Sequence, residues 1–288
     1  MKQFKGIFIK NFKVSKFLIL IGLSVTLSSI TIIVLSSFFR INTDNMNLTR
    51  FVQMLETSSL FILPALTTSY LFSNSITQDL NISAKNNFVD FLLVGILILI
   101  FIPFINFITD WNSQLILPKG FEGLMQWMKT TEANAYTLTQ KLLNVHSTTE
   151  YLLNIIAIGI FPAFGEELYF RGVIQNSILK SKNSIVAVWI TAFIFSAIHF
   201  QFFGFAARFL VGGILGLLYL WSKNIWIPIF AHCINNTCTV SFYFLKYKGI
   251  HIIDFETIGI GDTWWIALLS LCIGIILTFI IRHRLKTD

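Results

Sequence analysis

The chain has 288 residues, of which 55% are hydrophobic and only 12% charged, and its mean hydropathy is +0.73. Soluble domains carry about 25% charged residues and are less than half apolar, so this composition excludes an ordinary soluble protein and marks an integral membrane one. The net charge of +7 does not indicate nucleic-acid binding, because the cations gather where apolar runs begin and end.

Lys2, Lys5, Lys10, Lys13 and Lys16 precede the first apolar run, and Arg282, Arg284 and Lys286 follow the last. That is the positive-inside pattern, with both termini cytoplasmic and the chain set in a cell (plasma) membrane. A span needs about 20 apolar residues. About eight segments qualify: 17–39, 51–73, 89–109, 150–179, 184–201, 204–222, 225–246 and 263–281. The first is longer than a signal-peptide core and lacks a clear small-residue cleavage site, so it is expected to be retained. The second is the weakest, holding Gln53 and Glu56.

The expected fold is an all-α polytopic membrane protein, with about eight transmembrane helices around a polar intramembrane cavity. Residues 1–288 form one membrane domain. Alternation of the spans puts 74–88, the KSK at 180–182 and Lys223 on the cytoplasmic side, and 40–50, 110–149 and 247–262 on the other. In the 110–149 loop, Phe121, Leu124, Met125 and Met128 recur at helical spacing, predicting an amphipathic helix that lies on the membrane surface or acts as a lid. Cys233, Cys238 and Cys272 all sit in apolar runs, with neither disulfide nor zinc-knuckle spacing, and read as buried apolar fillers.

Three polar clusters interrupt the apolar spans. GEELYFRG (165–172) places two acids and an arginine in the fourth. Glu167 and Arg171 are spaced i, i+4 and can neutralise each other. Glu166 points about 100° away and has no partner in its own helix, which suits a general base or acid. In FIFSAIHF (193–200), His199 closes the fifth span. In AHCINN (231–236), His232 and Asn236 are again i, i+4 and share a face. Counted from the cytoplasmic ends at about 1.5 Å per residue, Glu166 and His199 both lie about 20 Å in, and Asn236 lies at similar depth.

Brought together, Glu166 and His199 can deprotonate a water while His232 and Asn236 hold a developing oxyanion, which is hydrolysis of an amide or ester. Glu166, His199 and His232 can alternatively serve as Zn²⁺ ligands, although no HExxH is present. The VGGILG of the sixth span holds Gly212 and Gly216 as a GxxxG pair, expected to bring helices close. Arg208, in the same span, either pairs with an acid or snorkels to the surface.

EELYFR (166–171) as EExxxR, FSAIH (195–199) as FxxxH and HCINN (232–236) as HxxxN, in this order, resemble the CPBP intramembrane proteases. That family includes type II CAAX prenyl endopeptidases and bacteriocin-processing or immunity proteins. The resemblance covers residues 150–240, the expected catalytic core. It implies an intramembrane endopeptidase in which Glu166 and His199 activate water, His232 and Asn236 stabilise the oxyanion, and Glu167 and Arg171 support them. The family is often described as metalloendopeptidases, but a metal-independent glutamate mechanism is also implied. No cofactor is the expectation, with Zn²⁺ the alternative.

The expected partners are the lipid bilayer and a peptide or membrane-protein substrate, not nucleic acid. The abundance of Lys, Asn and Ile points to an AT-rich, bacterial genome, hence to a peptide precursor, a bacteriocin or a membrane protein ahead of a prenylated CAAX peptide, with CAAX-type processing the open alternative. Two competing functions fit the same polar clusters: a transporter or proton-coupled carrier, and a catalytically silent immunity or scaffold protein.

Overall fold

The computed structural model describes residues 13–38, 45–84, 86–179, 183–250 and 255–287, together with Lys5 and Ile7. Among them all regular structure is helical. Helix α1, Lys13–Phe38, leaves Leu18, Val25, Ile30 and Ile33 exposed, as befits side chains whose solvent is lipid. Its other face is fastened by polar contacts: Lys16 Nζ lies 2.8 Å from Asp79 Oδ2, and Ser24 Oγ is 3.1 Å from Tyr169 Oη.

Helix α2 spans 46–72 and is capped by Asn45, whose side chain accepts from Leu48 N–H. Helix α3, Phe88–Ser113, opens on an Asn87/Asp90 capping box, in which each side chain takes a backbone N–H of the first turn. Helix α4, Glu122–Leu143, follows a loop. Helix α5, Thr148–Leu179, contains Pro162 and two π-helical stretches, Ile155–Ile160 and Leu168–Gln175. The remaining helices are α6, Ser184–Ala197; α7, Phe205–Ser222; α8, Trp226–Tyr247; and α9, Trp264–Thr287.

Each of the eight expected spans falls on one of these helices, α4 being the helix outside the set. Five are long and apolar enough to cross a membrane: Ser15–Ser37, Phe88–Ser113, Thr148–Leu179, Phe202–Ser222 and Gly261–Lys286. Ser184–Ala197 is apolar but shorter. Helices α2 and α8 are not in that group, and they hold Gln53 and Glu56, and the HCINN cluster, respectively. The protein is therefore an all-α polytopic membrane protein.

The loops sort into two ends as alternation predicts. Asn224 Nδ2 donates to Ala84 O and Asn86 Oδ1, and Trp226 Nε1 donates to Ile82 O, tying the 73–87 segment to the α7–α8 turn. At the other end Gln140 Nε2 donates to Tyr243 Oη and Asn106 Nδ2 to Phe255 O. Lys2, Lys10 and the KSK at 180–182 lie outside the described residues.

Helix α5 occupies the middle of the bundle, and every residue from Gly165 to Gln175 is buried. Leu168, Phe170, Val173 and Ile174 pack with Phe61 of α2, Phe195 of α6, Tyr219 of α7 and Ile229 of α8. Surrounding helices thus enclose a segment carrying two carboxylates, a guanidinium and an amide, which only internal pairing can satisfy.

Two expectations need correction. The fifth span stops as a helix at Ala197, not 201. Phe200 turns into the left-handed region at φ +51°, so His199 sits on the turn that follows. On α4, Met128 is buried, whereas Phe121 and Leu124 are exposed. The three cysteines are free, and Cys272 is exposed on the outside of α9 rather than buried. Just before α4, Gly120 N–H donates to both oxygens of Glu122, holding that carboxyl below its ordinary range.

Candidate active site

Glu167 and Arg171 stand one helical turn apart on α5, both without solvent exposure. Arg171 Nη1 lies 2.7 Å from Glu167 Oε1, and Arg171 Nη2 donates to Gly212 O at 2.9 Å. The ion pair expected from the i, i+4 spacing therefore also anchors α5 to α7. The same Glu167 oxygen lies 2.8 Å from His232 Nδ1 on α8. A carboxylate paired with a guanidinium can only accept, so His232 carries a proton on Nδ1 and turns Nε2 towards Glu166.

His199 is oriented by a different device. Its Nδ1 lies 2.7 Å from Phe195 O, and a carbonyl only accepts, so this ring too has Nδ1–H and a free Nε2. The spacing in FxxxH then has a physical cause, since the carbonyl four residues back sets the tautomer of the histidine. The Phe195 ring does further positioning: its centroid is 5.0 Å from the His199 ring, 5.9 Å from the His232 ring and 4.9 Å from Arg171 Cζ.

Glu166 faces the two Nε2 atoms. Its Oε2 is 4.0 Å from His199 Nε2 and 3.9 Å from His232 Nε2. Both separations exceed a direct hydrogen bond and match a distance that one water can bridge. Asn236, one turn beyond His232, is oriented from both sides. Asn235 Nδ2 donates to its Oδ1 at 3.2 Å, and its own Nδ2 points to Ile158 O at 3.5 Å, in the first π-helical stretch of α5. The weak second bond leaves this NH₂ available to another acceptor.

These groups open on a cavity of about 560 Å³. Glu166, His199, His232 and Asn236 all line it, together with Asn235, Thr239 and Arg208, against apolar walls from α3 such as Ile98 and Phe101. The structure thus brings together the four residues named from the motifs, and places Glu167 and Arg171 behind them. Arg208 faces the cavity rather than snorkelling outwards, and it bonds Gln201 with no ion-pair partner among the described residues. Asn235 is not marked by the sequence because it sits beside, not on, the His232–Asn236 face, and only its bond to Asn236 Oδ1 and its place in the cavity wall show its part.

The zinc alternative fits less well. A tetrahedron of bonds 2.0–2.1 Å long has edges of about 3.3 Å, shorter than the 3.9 and 4.0 Å found here. No group of three His, Cys, Asp or Glu side chains among the described residues is spaced to hold a metal ion.

Known proteins share this segment. Residues 148–238 match the family described as type II CAAX prenyl endopeptidase Rce1-like. YpbD of Bacillus subtilis (strain 168) is 29% identical over 116 residues, covering 39% of this chain and 55% of YpbD. A protein of the same strain, named "Putative membrane peptidase YdiL", is 32% identical over 125 residues, covering 43% of this chain and 50% of that one. The membrane-embedded CAAX protease MroQ of Staphylococcus aureus (strain USA300) is 29% identical over 102 residues, covering 33% of this chain and 41% of MroQ. The chain spans about half the length of the curated relatives it matches. No solved structure matches it. The resemblance to the CPBP proteases is borne out over the segment that carries the three motifs.

Proposed function

We propose that this chain is an intramembrane endopeptidase that hydrolyses peptide bonds with a water activated by Glu166 and His199. The observation that carries this reading is the approach of Glu166 Oε2 to two histidine Nε2 atoms whose tautomers are set from behind. In the proposed reaction, Glu166 takes a proton from a water oriented by His199. The resulting hydroxide oxygen bonds to the scissile carbonyl carbon, and charge moves to the carbonyl oxygen. Glu166 then returns the proton to the amide nitrogen as the carbon–nitrogen bond breaks.

The oxyanion is held by Asn236 Nδ2. His232 adds a second donor at Nε2 where the ring enters the reaction doubly protonated, a form that the Glu167 carboxylate stabilises at Nδ1. No step calls for a metal. The apolar walls raise the strength of each charge–dipole contact within the cavity. Substrates are peptide precursors or membrane proteins of a bacterial cell, presented in the plane of a plasma membrane with both termini of this chain cytoplasmic.

Purified full-length protein in detergent, incubated with a quenched peptide library, tests this reading. Wild type is expected to cleave, and Glu166→Gln and His199→Ala to lose about 10²–10⁴-fold in rate, with no effect of a strong chelator. Cleavage that the chelator removes and Zn²⁺ restores would move these residues to metal ligation. A folded wild type that yields no product peptides from any library member would turn the reading towards a carrier or a silent scaffold.

A further inference from the structure

We infer that Arg208 is a specificity-determining residue that binds a carboxylate of the substrate. This deepens the endopeptidase reading and rests on it for the nature of the ligand. Arg208 belongs to the first turn of α7 and lines the same cavity as Glu166, His199 and His232. Its Nη1 donates to Gln201 Oε1 at 2.7 Å and its Nη2 to Gln201 O, while Nε is shielded from solvent with no hydrogen-bond partner. The guanidinium lies close over Gly204, where a side chain would come within 3.0 Å of both Nη atoms.

Both contacts are neutral oxygens, so no direct partner compensates the charge. Among the described residues no carboxylate comes within 4.0 Å of Arg208. Glu132 acts on it only through space and is itself engaged by Phe203 N–H at 2.8 Å. Of the two deep carboxylates, Glu167 is taken by Arg171 and His232, and Glu166 faces the Nε2 atoms of His199 and His232. A guanidinium held in such a cavity with no acid in contact costs free energy, which an anion arriving with the ligand would offset. A carboxylate matches its planar fork in shape and charge. A ligand held there shares the cavity with His199.

The carboxylate has two possible sources, the free C-terminus of a peptide or an Asp or Glu side chain near the scissile bond, and the test separates them. Three dansylated apolar hexapeptides serve as probes: one with a free C-terminus, its amidated twin, and an amidated peptide with one internal Asp. Affinity is measured in the Glu166→Gln background, so that it does not depend on turnover, and cleavage is measured in the wild type. The expected result is at least about tenfold tighter binding of one or both carboxylate probes than of the neutral twin. Arg208→Gln should reduce that ratio to near one, and Arg208→Lys should keep part of it.

If the free-acid probe alone is preferred, the source is the chain end; if the Asp probe is preferred, it is a side chain. Equal binding of all three probes to the folded protein overturns the inference, as does a preference that survives in Arg208→Gln. Arg208-dependent carboxylate binding without cleavage would sink the peptidase reading while leaving the carboxylate site standing.

Discussion

His232 Nδ1 donates at 2.8 Å to the same Glu167 oxygen that Arg171 contacts at 2.7 Å. One buried carboxylate therefore joins α5 to α8 directly, and through Arg171 and Gly212 to α7. The acid that the motif places beside Glu166 acts as the hinge of three helices rather than as a reagent. Arg171 and Glu167 are both fully buried, so each neutralises a charge that the interior does not otherwise tolerate.

Removing one partner should therefore cost more than removing both. Arg171→Met or Glu167→Gln is expected to destabilise the fold by about 3–5 kcal/mol, because an uncompensated charge or donor remains buried. The double variant Glu167→Leu/Arg171→Met should recover part of that loss. Thermal unfolding in detergent measures all three, and a single variant melting at the wild-type temperature would show that the pair contributes nothing.

A second prediction concerns the glycines of α7. Gln175 Nε2 donates to Gly216 O at 2.8 Å, repeating one turn later the contact of Arg171 with Gly212. A Cβ on Gly216 would meet Gln175 Oε1 at 2.9 Å and Val188 Cγ1 at 3.0 Å. Gly216→Val should cost about 1–3 kcal/mol by overpacking. By contrast, Gly123 on α4 has nothing within 4 Å of its Cβ position, so Gly123→Ala should stabilise by about 0.5–1 kcal/mol. Equal melting shifts in the two variants would rule out close packing as the reason for the GxxxG pair.

A third prediction follows from the start of α7, which has no side-chain cap of its own. Its exposed amides are taken by other helices: Asn112 Oδ1 of α3 accepts from Ala206 N–H at 2.7 Å, and Glu132 of α4 accepts from Phe203 N–H. Asn112 also donates from Nδ2 to Phe202 O at 3.1 Å. Asn112→Ala should cost about 1–3 kcal/mol by leaving Ala206 N–H and Phe202 O unsatisfied, and should speed hydrogen exchange at Ala206. Unchanged exchange at that amide would show that Asn112 does not hold the turn.

Most of the site was legible because membrane interiors make polar residues conspicuous. Glu166, His199, His232 and Asn236 stand out against apolar runs, and their similar depth foretold that they meet. The Glu167–Arg171 pair followed from i, i+4 spacing alone. What was not legible depends on tertiary contacts. The tautomer of His199 depends on a carbonyl exposed where α6 unwinds at Phe200. The partner of His232 is an acid 65 positions away. The π-helical stretches of α5, which aim Ile158 O at Asn236, leave no periodic signal in an all-apolar run. Arg208 was visible as a charge in a span, but only the packed cavity shows that it turns inwards with no acid in contact among the described residues.

The last prediction separates Asn236 from its neighbour. If Asn236 Nδ2 binds the oxyanion, Asn236→Ala removes a contact made only in the transition state, so kcat should fall by about 10²–10³ with KM little changed. Asn235 holds Asn236 through one 3.2 Å bond to Oδ1, and its loss lets the amide rotate without removing it. Asn235→Ala is therefore expected to lower kcat by a smaller factor, and adding Asn235→Ala to Asn236→Ala should cause no further loss. Steady-state cleavage kinetics of the two single variants and the double would decide this. Independent, multiplying losses would mean that Asn235 contacts substrate in its own right, and a fall confined to KM would place Asn236 in ground-state binding instead.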